Sequence, residues 1–213
     1  MEYLLSSVVG YILGSFPTAF ILLKKTRNLD VRTNGSQNVG AMNTYKVTKS
    51  KSLAVLVMSI DIAKGALSVF LVILLFGENF ILPALASFSA VLGHCYSPWL
   101  EFKGGRGLAT AAGSSAILLP YLLVIWCVLW VIFYLIKKDI HFSNIAASIM
   151  SILLLFNTVE TAIKYSYPSV ANTSVLILFV VGGMTIILIR HIDPLKELIY
   201  DKKIFKMRRE NEK

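Results

Sequence analysis

The chain reads as an all-α, polytopic integral membrane protein with about seven transmembrane helices, its N-terminus outside and its C-terminus cytoplasmic. Three observations predict this. Of 213 residues, 56% are hydrophobic and 15% charged, where a soluble domain carries about 25% charged residues. The mean hydropathy is +0.69. The charges gather between apolar runs, several of which reach the roughly 20 residues that a helix needs to cross a bilayer. A single membrane domain over 1–213 follows, with a charged cytoplasmic tail at 190–213.

The first span is expected at 4–23, with Gly14-Ser15-Phe16-Pro17 thinning or kinking it. No small-residue cleavage site follows, so this run is expected to remain as a span. The segment 24–51 carries Lys24, Lys25, Arg27, Arg32, Lys46, Lys49 and Lys51 against Asp30 alone. That excess of cations marks a cytoplasmic loop and puts the N-terminus outside. The second span covers 53–76, and an external turn follows at 77–79. The third span, 80–100, returns to the cytoplasm.

From 108 to 136 the chain is apolar but short for two ordinary crossings. Pro120 divides it, and Lys137 and Lys138 close it on the cytoplasmic side. Two shortened or tilted helices satisfy that path, because an inside-to-inside route needs an even number of crossings. Further spans are expected at 144–163 and 173–189. Pro194 can open a short interfacial helix continued by Lys196, Glu197 and Leu198. No internal repeat supports an inverted-repeat transporter.

A net charge of +9 invites nucleic acid as a partner. No zinc spacing, RNA-binding signature or aromatic–basic platform accompanies it, so nucleic acid is excluded and membrane lipids are the expected neighbours. Cys95 and Cys127 show no metal or redox spacing and read as small buried side chains. No metal or cofactor is expected.

Two glycine-punctuated polar stretches carry the chemistry. In 35–46, Gly35 and Gly40 free the backbone, Ser36, Asn38 and Asn43 offer neutral hydrogen-bonding groups, and Lys46 adds charge. Such a set builds an anion nest or, equally, an ordinary polar turn. The second stretch, Lys103-Gly104-Gly105-Arg106-Gly107, runs straight into a helix start, where exposed N–H groups and a helix dipole suit phosphate. It lacks the Walker spacing. Its plainer reading is a topology-setting basic hairpin.

Asp61 and Lys64 stand three apart within the second span, on one helix face, as a packing pair or a polar element of the site. His94 is a proton carrier or a packing histidine, and His191, beside Arg190 at the cytoplasmic mouth, is an acid–base or hydrogen-bonding group or an interfacial anchor. His141 and Ser143 occupy the remaining cytoplasmic loop. No protein nucleophile with a neighbouring base is visible. Both glycine loops, the 137–143 loop and the Arg190-His191 tail fall on the cytoplasmic face in the expected topology.

In order along the chain, Gly14-Ser-Phe-Pro17, the motif Asp30-Val-Arg-Thr-Asn-Gly-Ser-Gln-Asn-Val-Gly-Ala-Met-Asn43, Asp61-x-x-Lys64-Gly65, Leu92-Gly-His94, Phe102–Thr110 and Arg190-His191 resemble one family. It is the bacterial acyl-phosphate-dependent glycerol-3-phosphate acyltransferases (the PlsY family). The resemblance implies a seven-span enzyme of the cell (inner, cytoplasmic) membrane serving phospholipid biosynthesis. A fatty acyl phosphate would acylate the sn-1 hydroxyl of glycerol 3-phosphate, giving lysophosphatidic acid and phosphate.

Carried onto this chain, the resemblance implies catalytic roles for His191, Ser36 and Asn38, and a donor-phosphate site at Ser36, Asn38, Gly40 and Asn43. It implies an acceptor-phosphate site at Lys46, Lys103, Gly104, Gly105 and Arg106, supported by Asp61, Lys64, His94 and Ser143. The chain departs from the family pattern at Gln37, Met42, Lys46, Arg106, Pro194 and Glu197. A diverged relative with another phosphorylated acceptor, or a small membrane transporter or lipid-binding protein, stand as alternatives.

Overall fold

A computed structural model of the chain describes residues 1–196 and 200. They form α1 (Glu2–Ser15), α2 (Thr18–Arg27), α3 (Ala41–Thr48), α4 (Lys51–Phe76), α5 (Ile81–Cys95), α6 (Leu108–Leu118), α7 (Pro120–Lys137), α8 (Ile140–Lys164) and α9 (Thr173–Ile189), with one 3-10 turn at Pro98–Leu100. Side-chain caps set several starts: Ser50 accepts from the Leu53 amide, Asp139 from Phe142 and Asn172 from Ser174. Pro120 opens α7 at a position where its missing N–H costs nothing. The expected Glu197–Leu198 continuation lies outside the described residues; 192–196 is helical.

The expected first span is two helices. Pro17 removes a donor and α1 ends at Ser15, leaving the Ser15 carbonyl without a helical partner and that of Phe16 with only the Thr18 amide two residues on. Ser97 Oγ donates to the Ser15 carbonyl at 2.6 Å, and Lys64 Nζ donates to that of Phe16 at 3.1 Å. The break is thereby sealed by side chains from two other segments. α2 then continues to Arg27, further than hydropathy alone places it.

Among the described residues, four stretches are long and apolar enough to cross a membrane by length and composition: 2–27, α4, α7 and α8. α6 and α9 are shorter apolar helices. At 1.5 Å per residue α5 and α6 reach only about 22 and 16 Å, against about 30 Å of hydrocarbon.

α1 packs along α5, α4 along α6 and α7 along α8, while α9 lies on α8 and α5. The first two pairings are backbone-close. A Cβ at Gly10 or Gly14 would strike the backbone of Ala86 or Ala90, and one at Gly65 or Gly113 would strike Thr110 or Ile62. One core joins Val69, Leu118, Leu122, Leu155, Leu176 and Val180. A second, of Leu23, Val31, Val39, Val57 and Leu100, lies beneath the polar loop that follows α2. Outward faces are apolar: α7 buries Leu122 and exposes Val124, Val128, Val131 and Leu135. Cys95 is buried as expected, but Cys127 is exposed on that apolar face of α7.

Candidate active site

The loop 28–40 is built around two hubs. Asp30 accepts from the Arg32 amide at 2.9 Å and from its guanidinium at 2.8 Å, and this pairing holds its carboxyl below the usual range. Asn43, 1% exposed at the base of α3, is the second hub. Its Oδ1 accepts from the Ser36 amide, and its Nδ2 donates to the carbonyls of Val31 and Asn34. Gly35 (φ 63°) and Gln37 (φ 58°) both take the left-handed conformation. At Gln37 a side chain therefore accepts a strain that glycine avoids. The Gly40 amide donates to the Asn38 carbonyl. The result is a rigid rim from which the Ser36 hydroxyl and Asn38 amide project without partners among the described residues.

Gly104 and Gly105 belong to a second wall, formed by the loop after the 3-10 turn. Their amides donate to the carbonyls of Cys95 and His94 at 3.1 and 3.0 Å, satisfying the end of α5. A Cβ on Gly105 would strike the His94 ring, and one on Gly104 the His94 carbonyl, so both positions demand glycine by close approach. The Gly104 and Gly105 amides, expected to bind phosphate, are therefore already engaged. The loop presents Lys103 and Arg106 by side chain instead.

Behind this wall His94 is buried, its Nδ1 3.8 Å from Asp61 Oδ1. Asp61 accepts from Thr18 Oγ1 at 3.0 Å and pairs with Lys64 at 2.9 Å. Asp61 and Lys64 thus clamp the break between α1 and α2.

Between the walls lies a cleft of about 770 Å³. It brings together Ser36, Asn38, Lys103, Gly104 and Arg106 from the sequence analysis, with Arg32 and Arg190 added. Four cations face two carboxylates, Glu101 and Asp193, so the cleft is net positive and suited to anions. Arg106 Nη1 lies 3.2 Å from His141 Nδ1, which ties the start of α8 to the same end of the bundle.

Lys46 is exposed on α3 and does not line the cleft. Nor does Lys64, which is held by Asp61 and the Phe16 carbonyl. Ser143 is buried, its hydroxyl donating to the Asp139 carbonyl at 2.6 Å. His191, expected near the reacting groups, is 1% exposed and does not line the cleft. Its Nδ1 donates to the Ile187 carbonyl at 2.8 Å, so its Nε2 accepts from Asn144 Nδ2 at 3.2 Å. Asn144 Oδ1 in turn accepts from Trp130 Nε1 at 2.6 Å. Burial in this neutral tautomer lowers the imidazole to about 4.

A family model described as glycerol-3-phosphate acyltransferase matches residues 4–201. The chain belongs to the glycerol-3-phosphate acyltransferase family. A glycerol-3-phosphate acyltransferase of Campylobacter concisus is 35% identical over 161 residues, spanning 73% of this chain and 77% of that one. One from Anaplasma phagocytophilum is 36% identical over 174 residues, spanning 80% and 86%. Among solved structures, PlsY, an integral membrane glycerol 3-phosphate acyltransferase, matches in its glycerol 3-phosphate form. There the TM-score is 0.78 at 27% identity, with 94% of each chain covered.

This acyltransferase is an integral membrane transferase, and two of its cleft cations, Arg32 and Arg190, stand in the sequence motifs without an assigned role in the site. Arg32 looks like a topology charge in a basic loop, and its pairing with Asp30 is the local signal. Arg190 stands 84 residues beyond Arg106 and needs the α5·α9 contact to reach the cleft.

Proposed function

We propose that this acyltransferase moves a fatty acyl group from an acyl phosphate to the sn-1 hydroxyl of glycerol 3-phosphate at the cytoplasmic face of the cell membrane. The acceptor oxygen forms the new bond to the acyl carbon, the acyl–phosphate oxygen bond breaks, and inorganic phosphate leaves. A donor phosphate oxygen takes the hydroxyl proton, so no protein nucleophile is needed. The observation that carries this reading is the convergence of two polar loops on one cleft: the neutral Ser36 and Asn38, beside Arg32, from one, and Lys103 and Arg106 from the other. Neutral donors suit the donor phosphate, and cations suit the acceptor's phosphomonoester, which is near its dianion at neutral pH. Holding both would supply proximity and charge stabilisation to an already activated acyl group.

In this assignment Asn43 and Gly40 shape the donor wall, and Gly104 and Gly105 the acceptor wall. His94, Asp61, Lys64 and Ser143 support them from behind. His191 acts through Asn144 and the end of α9. Seven crossings, with the N-terminus outside, are supported by the cations that close α2 (Lys24, Lys25 and Arg27) and α7 (Lys137) and by those that follow α5 and α9 (Lys103 and Arg190). The test is acyl transfer by purified protein in detergent, with palmitoyl phosphate and labelled glycerol 3-phosphate, and palmitoyl-CoA as the control donor. Lysophosphatidic acid from the acyl phosphate alone is the expected product. Product from palmitoyl-CoA alone, or none from folded protein, overturns the proposal.

A further inference from the structure

Arg190 ends α9 and reaches across to the glycine loop. Its Nε donates to the Gly105 carbonyl at 3.1 Å and its Nη2 to the Gly104 carbonyl at 2.9 Å. The guanidinium carbon also lies 5.3 Å from the centre of the Tyr96 ring. On the other side of the same dipeptide, both amides are held by the last carbonyls of α5. Every backbone polar group of Gly104 and Gly105 is therefore engaged, two by α5 and two by one side chain of α9. A planar fork can take two successive carbonyls at once, whereas an ammonium is a point donor.

Arg190 is itself fixed. The next residue, His191, is buried and bonded to Ile187 and Asn144, and Trp130 holds Asn144, so α7 and α8 pin the end of α9. Glycine has no side chain with which to hold its shape between Lys103 and Arg106, so these backbone bonds must do so.

We infer that Arg190 is a positioning residue that clamps the Gly104–Gly105 backbone and so fixes where Lys103 and Arg106 present their charges. This rests on the acceptor assignment above for its kinetic consequence, but the clamp itself is independent of it. Arg190→Lys keeps the charge and removes the fork, and Arg190→Gln serves as a second variant.

Two measurements test the inference. Limited trypsin digestion in detergent reads the Lys103–Gly104 and Arg106–Gly107 bonds, which require local opening of this loop. Both variants are expected to be cut there about tenfold faster, with cleavage after Lys24, Lys25 and Lys46 unchanged. Steady-state kinetics at saturating palmitoyl phosphate should show the KM for glycerol 3-phosphate raised about tenfold and kcat within about threefold.

Unchanged loop cleavage in either variant overturns the clamp. Acceleration at every site equally overturns it in favour of a general structural role. Faster loop cleavage with an unchanged KM overturns the positioning of the acceptor. If the unsubstituted protein shows no turnover, the acyl-transfer reading fails, while the digestion still decides the clamp.

Discussion

Asp61 and Lys64 give the sharpest stability experiment. Their side chains are 4% and 8% exposed and their charged atoms are 2.9 Å apart. Removing one partner strands a buried charge, which costs about 3–5 kcal/mol. Lys64→Met would leave the Asp61 carboxylate with Thr18 and the distant His94; Asp61→Asn would leave the ammonium with the Phe16 carbonyl. The double variant strands no charge. The amide oxygen introduced at position 61 can still accept from Thr18, so the main loss is the hydrogen bond to the Phe16 carbonyl, about 1–3 kcal/mol. The double variant should therefore be more stable than either single one, with a coupling of about 3 kcal/mol or more. At roughly 2–4 °C per kcal/mol for a chain of this size, the single variants should melt about 6–20 °C lower. Thermal unfolding in detergent, followed by tryptophan fluorescence, reads this near its source, since Trp99 Nε1 bonds Ser15 Oγ beside the break. Additive losses, or single shifts below about 2 °C, would refute the reasoning.

Other outcomes follow from the cleft and its supports. Ser36→Ala and Asn38→Ala should each lower the rate of acyl transfer by about tenfold or more while leaving folded yield intact, measured with palmitoyl phosphate. Arg106→Ala should raise the glycerol 3-phosphate KM by about tenfold, whereas Lys46→Ala, lying off the cleft, should change it less than about twofold. His191 is held neutral by burial down to about 4, while an unfolded imidazole binds a proton below about 6.5. Protons therefore favour the unfolded chain between those values, and stability should fall as pH drops from about 6.5 to 4. His191→Gln should flatten that slope of melting temperature against pH, because it removes the titrating group.

Hydropathy locates most helices because apolar length is a direct property of sequence. α9 begins and ends where expected, and Pro120 divides α6 from α7 as its chemistry requires. The misreadings have specific causes. α2 runs through Lys24, Lys25 and Arg27, residues that hydropathy removes from a span although they are good helix formers. α3 reads as loop in the sequence because eight residues between Gly40 and a left-handed Lys49 carry little periodicity. The third span stops at Cys95, where the glycine loop folds back onto its last carbonyls. In the site, residue types name the right loops but not the direction of each side chain. Asn43 turns inward as a scaffold, Lys46 faces away, and His191 lies beneath the surface.

The commitment of the Gly104 and Gly105 amides to α5 changes what kind of recognition this wall can exert. A cage of backbone N–H groups reads an oxyanion by shape and is screened less by the salt around it than mobile surface cations are. Long flexible cations read mainly how much negative charge is present. On the proposed reading, acceptor binding should therefore weaken as ionic strength rises. It should also weaken as the acceptor loses its second charge near pH 6, and it should tolerate phosphonate analogues that keep the charge but alter the bridging atom. Discrimination among acceptors would then fall to the fixed rim at Ser36 and Asn38, where geometry rather than charge decides which hydroxyl meets the acyl carbon.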